Sequence, residues 1–200
     1  EIVYFVPNQQ RMLALTFDDG PTVVATDQIL QALKKHNARG TFFLLGTNVN
    51  RHPDIARRIA EEGHQIGNHS FSHLRYDQIP FEAMVQDITA GADAIEQACG
   101  ARPNWFRPPY GINGAGMVEV CKSNGFIITG WSGHASDWNP HAPNEIVDRI
   151  VNEAVSGDIL LLHDGWETRV DAYRPNTLAA VEPMLVGLIS KGFKLVTLEE

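Results

Sequence analysis

The chain has 200 residues, 44% hydrophobic and 20% charged, with 17 Gly and 11 Pro. That is the composition of one compact domain, not of a disordered, collagenous or coiled-coil chain, and a chain of this size buries roughly 70% of its unfolded surface. Its formal charge of −8 argues against a nucleic acid as partner, because phosphate binding needs a positive field, and apolar runs such as Ile159–Leu162 fall far short of the ~20 residues that span a bilayer.

The elements alternate in a βαβα rhythm. Short apolar runs predict strands at 12–17, 41–45, 65–67, 105–107, 126–131, 159–162 and 194–197, about seven in all. Longer amphipathic runs predict helices at 26–36, 53–62, 81–98, 116–124, 144–155 and 177–191, with His52-Pro53 as a helix start. Most helices stop at a glycine (Gly63, Gly100, Gly125, Gly157, Gly192), where a left-handed cap is expected. No repeat or Pro/Gly/Ser-rich linker divides the chain, so residues 1–200 read as a single domain. The pattern implies a mostly parallel sheet or barrel with its site at the carboxyl ends of the strands.

Polar residues collect at those ends. The first strand ends in Asp18-Asp19-Gly20-Pro21. Two adjacent carboxylates are costly unless a cation or a basic group neutralises one, although the same residues also suit a solvated turn. After the third strand comes His69-Ser70-Phe71-Ser72-His73. If helical, this stretch would place both imidazoles on one face, a geometry suited to one zinc; a polar loop is the other reading. One carboxylate, two imidazoles and an open position make a hydrolytic metal site. Arg107-Pro108-Pro109-Tyr110 follows the fourth strand, with its prolines fixing an extended backbone. Finally, Leu161-Leu162-His163-Asp164 puts a histidine at the end of an apolar strand, where a general acid would stand.

In that order, Thr16-Phe17-Asp18-Asp19-Gly20, His69-Ser70-Phe71-Ser72-His73, Arg107-Pro108-Pro109-Tyr110 and Leu161-Leu162-His163 resemble the motifs of the polysaccharide deacetylase family, the carbohydrate esterases that share the NodB homology domain. The resemblance implies a distorted (β/α) barrel with fewer than eight strands, an α/β fold consistent with the strand count. It also implies that Asp18 is the catalytic base and that Asp19, His69 and His73 bind a divalent metal. Zinc is the default, and cobalt, nickel or manganese would suit the same ligands. Arg107 would orient Asp18, the Tyr110 N–H would stabilise the oxyanion, and His163 would protonate the leaving amine. Leu161 would line the acetyl pocket.

One motif departs from the family. Where Asp-x-x-Asp-Trp is usual, this chain has His134-Ala135-Ser136-Asp137-Trp138. Asp137 can still pair with His163 and Trp138 can still wall the pocket, but the first Asp is a histidine, read here as a surface residue or one that supports the site from behind, in preference to an extra ligand. Sugar platforms are sought among Trp105, Trp131, Trp138 and Trp166.

The function expected is hydrolysis of the N-acetyl group of N-acetylglucosamine units in chitin, its oligomers or peptidoglycan. Acetylxylan O-deacetylation is the alternative, followed by a non-catalytic carbohydrate-binding domain and a small-amide hydrolase. The chain starts at Glu1 with no signal-like segment, as a mature or trimmed fragment would, so location is read from substrate: secreted or cell surface. A monomer is expected. Cys99 and Cys121 form either one disulfide or two buried thiols.

Overall fold

The computed structural model describes residues 1–167 and 169–200. Nine strands form one sheet: β1 (Ile2–Val3), β2 (Met12–Asp18), β3 (Thr41–Leu44), β4 (Gln65–Asn68), β5 (Trp105–Phe106), β6 (Ile127–Thr129), β7 (Gly133–His134), β8 (Ile159–His163) and β9 (Lys194–Val196). Seven helices flank it: α1 (Ala25–Lys35), α2 (Gly46–Arg51), α3 (Pro53–Glu61), α4 (Phe81–Cys99), α5 (Met117–Ser123), α6 (Pro143–Glu153) and α7 (Pro175–Ser190). Each of α3, α6 and α7 has a proline in its first turn, where the missing N–H costs nothing. Gly100 ends α4 in the left-handed region at φ 77°, a conformation that costs a side-chain-bearing residue.

The strands run in the order β1-β6-β5-β4-β3-β2-β8-β7, all paired in parallel. β9 pairs with β2 at Met12–Ala14 while β3 pairs with it at Thr16–Asp18, so the two share one flank of β2. The sheet is a curled half-barrel whose path ends at β1 and β7. The seven expected strands are all present. The two additions, β1 and β7, are two residues long, too short to carry a periodic signal.

Parallel strands are covered on both faces and so read as unbroken apolar runs, but their side chains still alternate. Leu13, Leu15, Phe17, Phe42, Leu44, Leu160 and Leu162 pack with Ile29, Leu30 and Leu33 of α1 and Leu185 and Leu188 of α7 in the main core. A second cluster joins Met84 and Ile88 of α4 to Phe106, Met117 and Ile128. On the opposite face of β2, Thr16 and Asp18 point into the curl. Cys99 and Cys121 are free thiols on α4 and α5, which settles the disulfide question in favour of two thiols. Burial pushes Cys121 up to about 12.

Candidate active site

Register brings the polar strand ends together. Asp18 on β2 lies level with His163 on β8, and Asn68 on β4 lies level with Phe106, so the segments that follow these residues meet over one end of the curl. They line a cavity of about 340 Å³ that includes Asp18, Asp19, His69, His73, Tyr110 and His163.

Arg107 organises one wall. It is fully buried; Nη1 donates to Thr16 Oγ1 at 2.7 Å and to Asp18 Oδ1 at 2.8 Å, and Nη2 donates to the Gly130 carbonyl at 2.8 Å. The guanidinium also lies 4.2 Å over the Phe43 ring. A carboxylate held by a rigid fork of this kind is fixed in direction as well as charge. Burial raises the Asp18 carboxyl above its ordinary range, and Arg107 pulls it back.

Asp19, His69 and His73 offer one ligand atom each within 4.8 Å of one another. The Asp19 Oδ1 atom lies 3.5 Å from His69 Nε2 and 3.4 Å from His73 Nε2, and it is buried without a hydrogen-bond partner among the described residues. His69 Nδ1 meets the Arg107 carbonyl at 2.7 Å; a carbonyl can only accept, so Nδ1 carries the hydrogen and the Nε2 lone pair faces Asp19. Burial holds His69 and His73 down near 3 and pushes Asp19 up to about 7. Two neutral imidazoles and an orphaned buried carboxylate oxygen fit a divalent cation, whose charge would satisfy that oxygen.

The histidine pair does not come from a helix as its spacing suggested. Residues 69–75 are irregular, with Ser70 at φ 76° and His73 at φ 57°, and Asn68 Oδ1 accepts the Ser70 N–H at 2.9 Å. The turn of Pro109–Gly111 places Tyr110 at φ 59°; the bonds that close it run from Gly111 N–H to Pro108 O and from Ile112 N–H to Pro109 O, and neither uses the Tyr110 N–H. Of the eight described non-glycine residues with positive φ, six (Asp19, Ser70, His73, Tyr110, Ser136 and Asp171) lie at this end of the sheet. Such strain, of order 1–3 kcal/mol each, gathers where function imposes it.

Across the cavity, Asp137 Oδ1 meets His163 Nδ1 at 2.8 Å, while Oδ2 accepts the His163 N–H and the Thr177 hydroxyl, each at 3.0 Å. Burial alone would lower His163, but Asp137 overcomes it and carries His163 up to about 9. Leu161 and the half-exposed Trp138 line the cavity, with Trp138 edge-on to His163 at 5.9 Å. His134 is exposed and outside the cavity lining, bonded through Nδ1 to Ser136 Oγ at 2.9 Å, as a surface residue should be.

Of the tryptophans, Trp131 and Trp138 line the cavity. Trp105 is buried and donates to Glu199, and Trp166 lies under Arg169 and Arg174, so neither offers a free face. Sequence reasoning missed Asp164, Glu167 and Arg174. Asp164 is fully buried, donates its N–H to Asp18 O at 3.1 Å and accepts the Thr26 hydroxyl at 2.5 Å, tying β8 to the Asp18 loop. Glu167 and Arg174 line the cavity. Only Pro175, a helix starter directly after Arg174, hinted at where that segment turns back. The unpredicted α2 supplies Asn48, whose Nδ2 donates to the Asp19 carbonyl at 2.8 Å.

The sequence profile described as polysaccharide deacetylase matches residues 6–129. A peptidoglycan-N-acetylglucosamine deacetylase of Bacillus cereus is 36% identical over 100% of this chain and 92% of its own length. A chitooligosaccharide deacetylase of Rhizobium leguminosarum bv. trifolii is 34% identical over 96% of this chain and 93% of its own. A crystal structure of a peptidoglycan N-acetylglucosamine deacetylase superimposes with TM-score 0.92 at 31% identity, covering 98% of this chain and 90% of that one. Other relatives are longer, and the chain spans 39% of one and 38% of another.

Proposed function

The chain belongs to the polysaccharide deacetylase family, and from that membership we propose that its 200 residues act as one catalytic unit that hydrolyses the N-acetyl group of N-acetylglucosamine units in a cell-wall or chitin-type polymer, releasing acetate. The observation that carries this reading is the opposed pair in one cavity: Asp18 held by Arg107 on one side, and His163 held by Asp137 on the other.

Asp19, His69 and His73 would hold the cation, with zinc the metal we propose. When bound, a divalent cation supplies Lewis-acid polarisation of the acetamide carbonyl and a lowered pKa for water. Asp18 takes the proton of the attacking water, aimed by Arg107 and made more basic by its burial. The Tyr110 N–H donates to the oxygen that becomes negative; one preorganised donor of this kind is typically worth about 3 kcal/mol. His163, kept protonated through neutral pH by Asp137, gives its proton to the departing nitrogen. Leu161 and Trp138 enclose the acetyl methyl. The substrate places the enzyme outside the cell or at its surface, and no described helix is long and apolar enough to cross a membrane. We propose a monomer.

The test is acetate release from N-acetylglucosamine oligomers and from acetylated xylan, using protein stripped with chelator and then restored with zinc. Zinc-dependent release from the oligomers is expected. Release from xylan alone would make the protein an esterase, and release from neither, with zinc bound, would leave a carbohydrate-binding domain.

A further inference from the structure

The steps above leave one charge pair in the cavity wall unused. Glu167 and Arg174 both line the cavity, from the segment that joins β8 to α7. Arg174 is only 8% exposed, and an arginine is seldom so buried without a task for its charge. Its Nη2 donates to Glu167 Oε2 at 3.2 Å, and its guanidinium lies 4.5 Å over the Trp166 ring, which Arg169 also covers at 4.2 Å. Stacking and ion pairing therefore fix the guanidinium, while its Nε is buried without a partner among the described residues. The bond to Arg174 is the one hydrogen bond of the Glu167 carboxylate among those residues, so acceptor capacity remains on a Glu167 carboxylate that Arg174 holds in place.

A group that faces this acceptor must give it a hydrogen bond, and a hydroxyl does so without bringing charge. A carboxylate on the ligand could only accept, and it would meet the like charge of Glu167. An apolar substituent would leave the wall unsatisfied, the situation in which sites built for a hydroxyl reject analogues most strongly. We infer that Glu167 and Arg174 form a hydroxyl-reading wall that selects a free, uncharged hydroxyl on the sugar carrying the acetamide. The inference rests on the deacetylase reading above and adds a specificity determinant to it.

Calorimetric titration of the N-acetylglucosamine trimer tests it without turnover, in zinc-loaded Asp18→Asn protein with and without Glu167→Ala. The expected result is a Kd at least tenfold weaker in the double variant, with Glu167→Gln, which keeps an acceptor, within threefold of the parent. In the active enzyme, Glu167→Ala should lower the ratio of kcat/KM on the trimer to that on 4-nitrophenyl acetate by tenfold, mostly through KM. An unchanged Kd, a Gln variant as weak as Ala, or equal losses on both substrates would overturn the inference. A parent enzyme that binds the trimer but releases no acetate would count against the deacetylase reading alone.

Discussion

The two faces of β2 are built from different chemistry. Leu13, Leu15 and Phe17 point toward the helices and are essentially inaccessible to water, whereas Thr16 and Asp18 point into the curl and bond to the fully buried Arg107. The first set contributes cohesion in proportion to apolar area buried, roughly 25 cal/mol per Å². Asp18 in the second set places a charge where desolvation opposes it, so it is retained for what it does in the site and not for stability. One strand thus divides its work by parity, and substitutions at neighbouring positions should fail in different assays.

The largest effect falls on the inner face. Asp18→Asn removes the proton acceptor while keeping size and most of the packing, so initial rates of acetate release should drop by about 10³-fold or more, with a urea midpoint close to the parent. One residue away, Phe17→Ala should do the reverse, costing about 3–5 kcal/mol in urea unfolding while the folded fraction keeps its turnover. If Phe17→Ala spared stability and abolished turnover, the division by parity would be wrong. Next comes Asp137→Asn. His163 is raised to about 9, so it stays protonated at neutral pH and loses its proton only as pH climbs through that value. Without the Asp137 carboxylate, burial dominates, and the alkaline limb of the kcat profile should move to lower pH by one unit or more. The smallest effect is Thr16→Val, which removes the hydroxyl linking Arg107 to the Leu160 carbonyl. Loss of about 1–2 kcal/mol of stability is expected, with a fall in kcat under tenfold because Arg107 still grips Asp18.

This parity could not be read from β2 itself. Its run from Leu13 to Phe17 is nearly all apolar because both faces are covered, so the strand was legible while the direction of Thr16 and Asp18 was not. The site was legible wherever it coincides with a strand end: Asp18, Asp19, Arg107 and His163 each stand at or directly after such an end. The His69–His73 pair was legible as a pair but not as a loop or a helix, because fourfold spacing fits a helical turn and the left-handed backbone at Ser70 and His73 leaves no compositional mark. Tertiary position alone made Asp164 visible, since its partners Asp18 and Thr26 come from segments distant in sequence, whereas Glu167 and Arg174 find each other and Trp166 within a segment between β8 and α7 that carries no periodic pattern.

In the proposed mechanism Asp18 and Asp19, adjacent and both buried, are divided between proton transfer and metal binding. Zinc titration of Asp18→Asn beside Asp19→Asn tests it most directly. Near-parental affinity in the first and a loss of at least a hundredfold in the second are predicted. Equal losses in both, or affinity lost only in Asp18→Asn, would contradict the assignment.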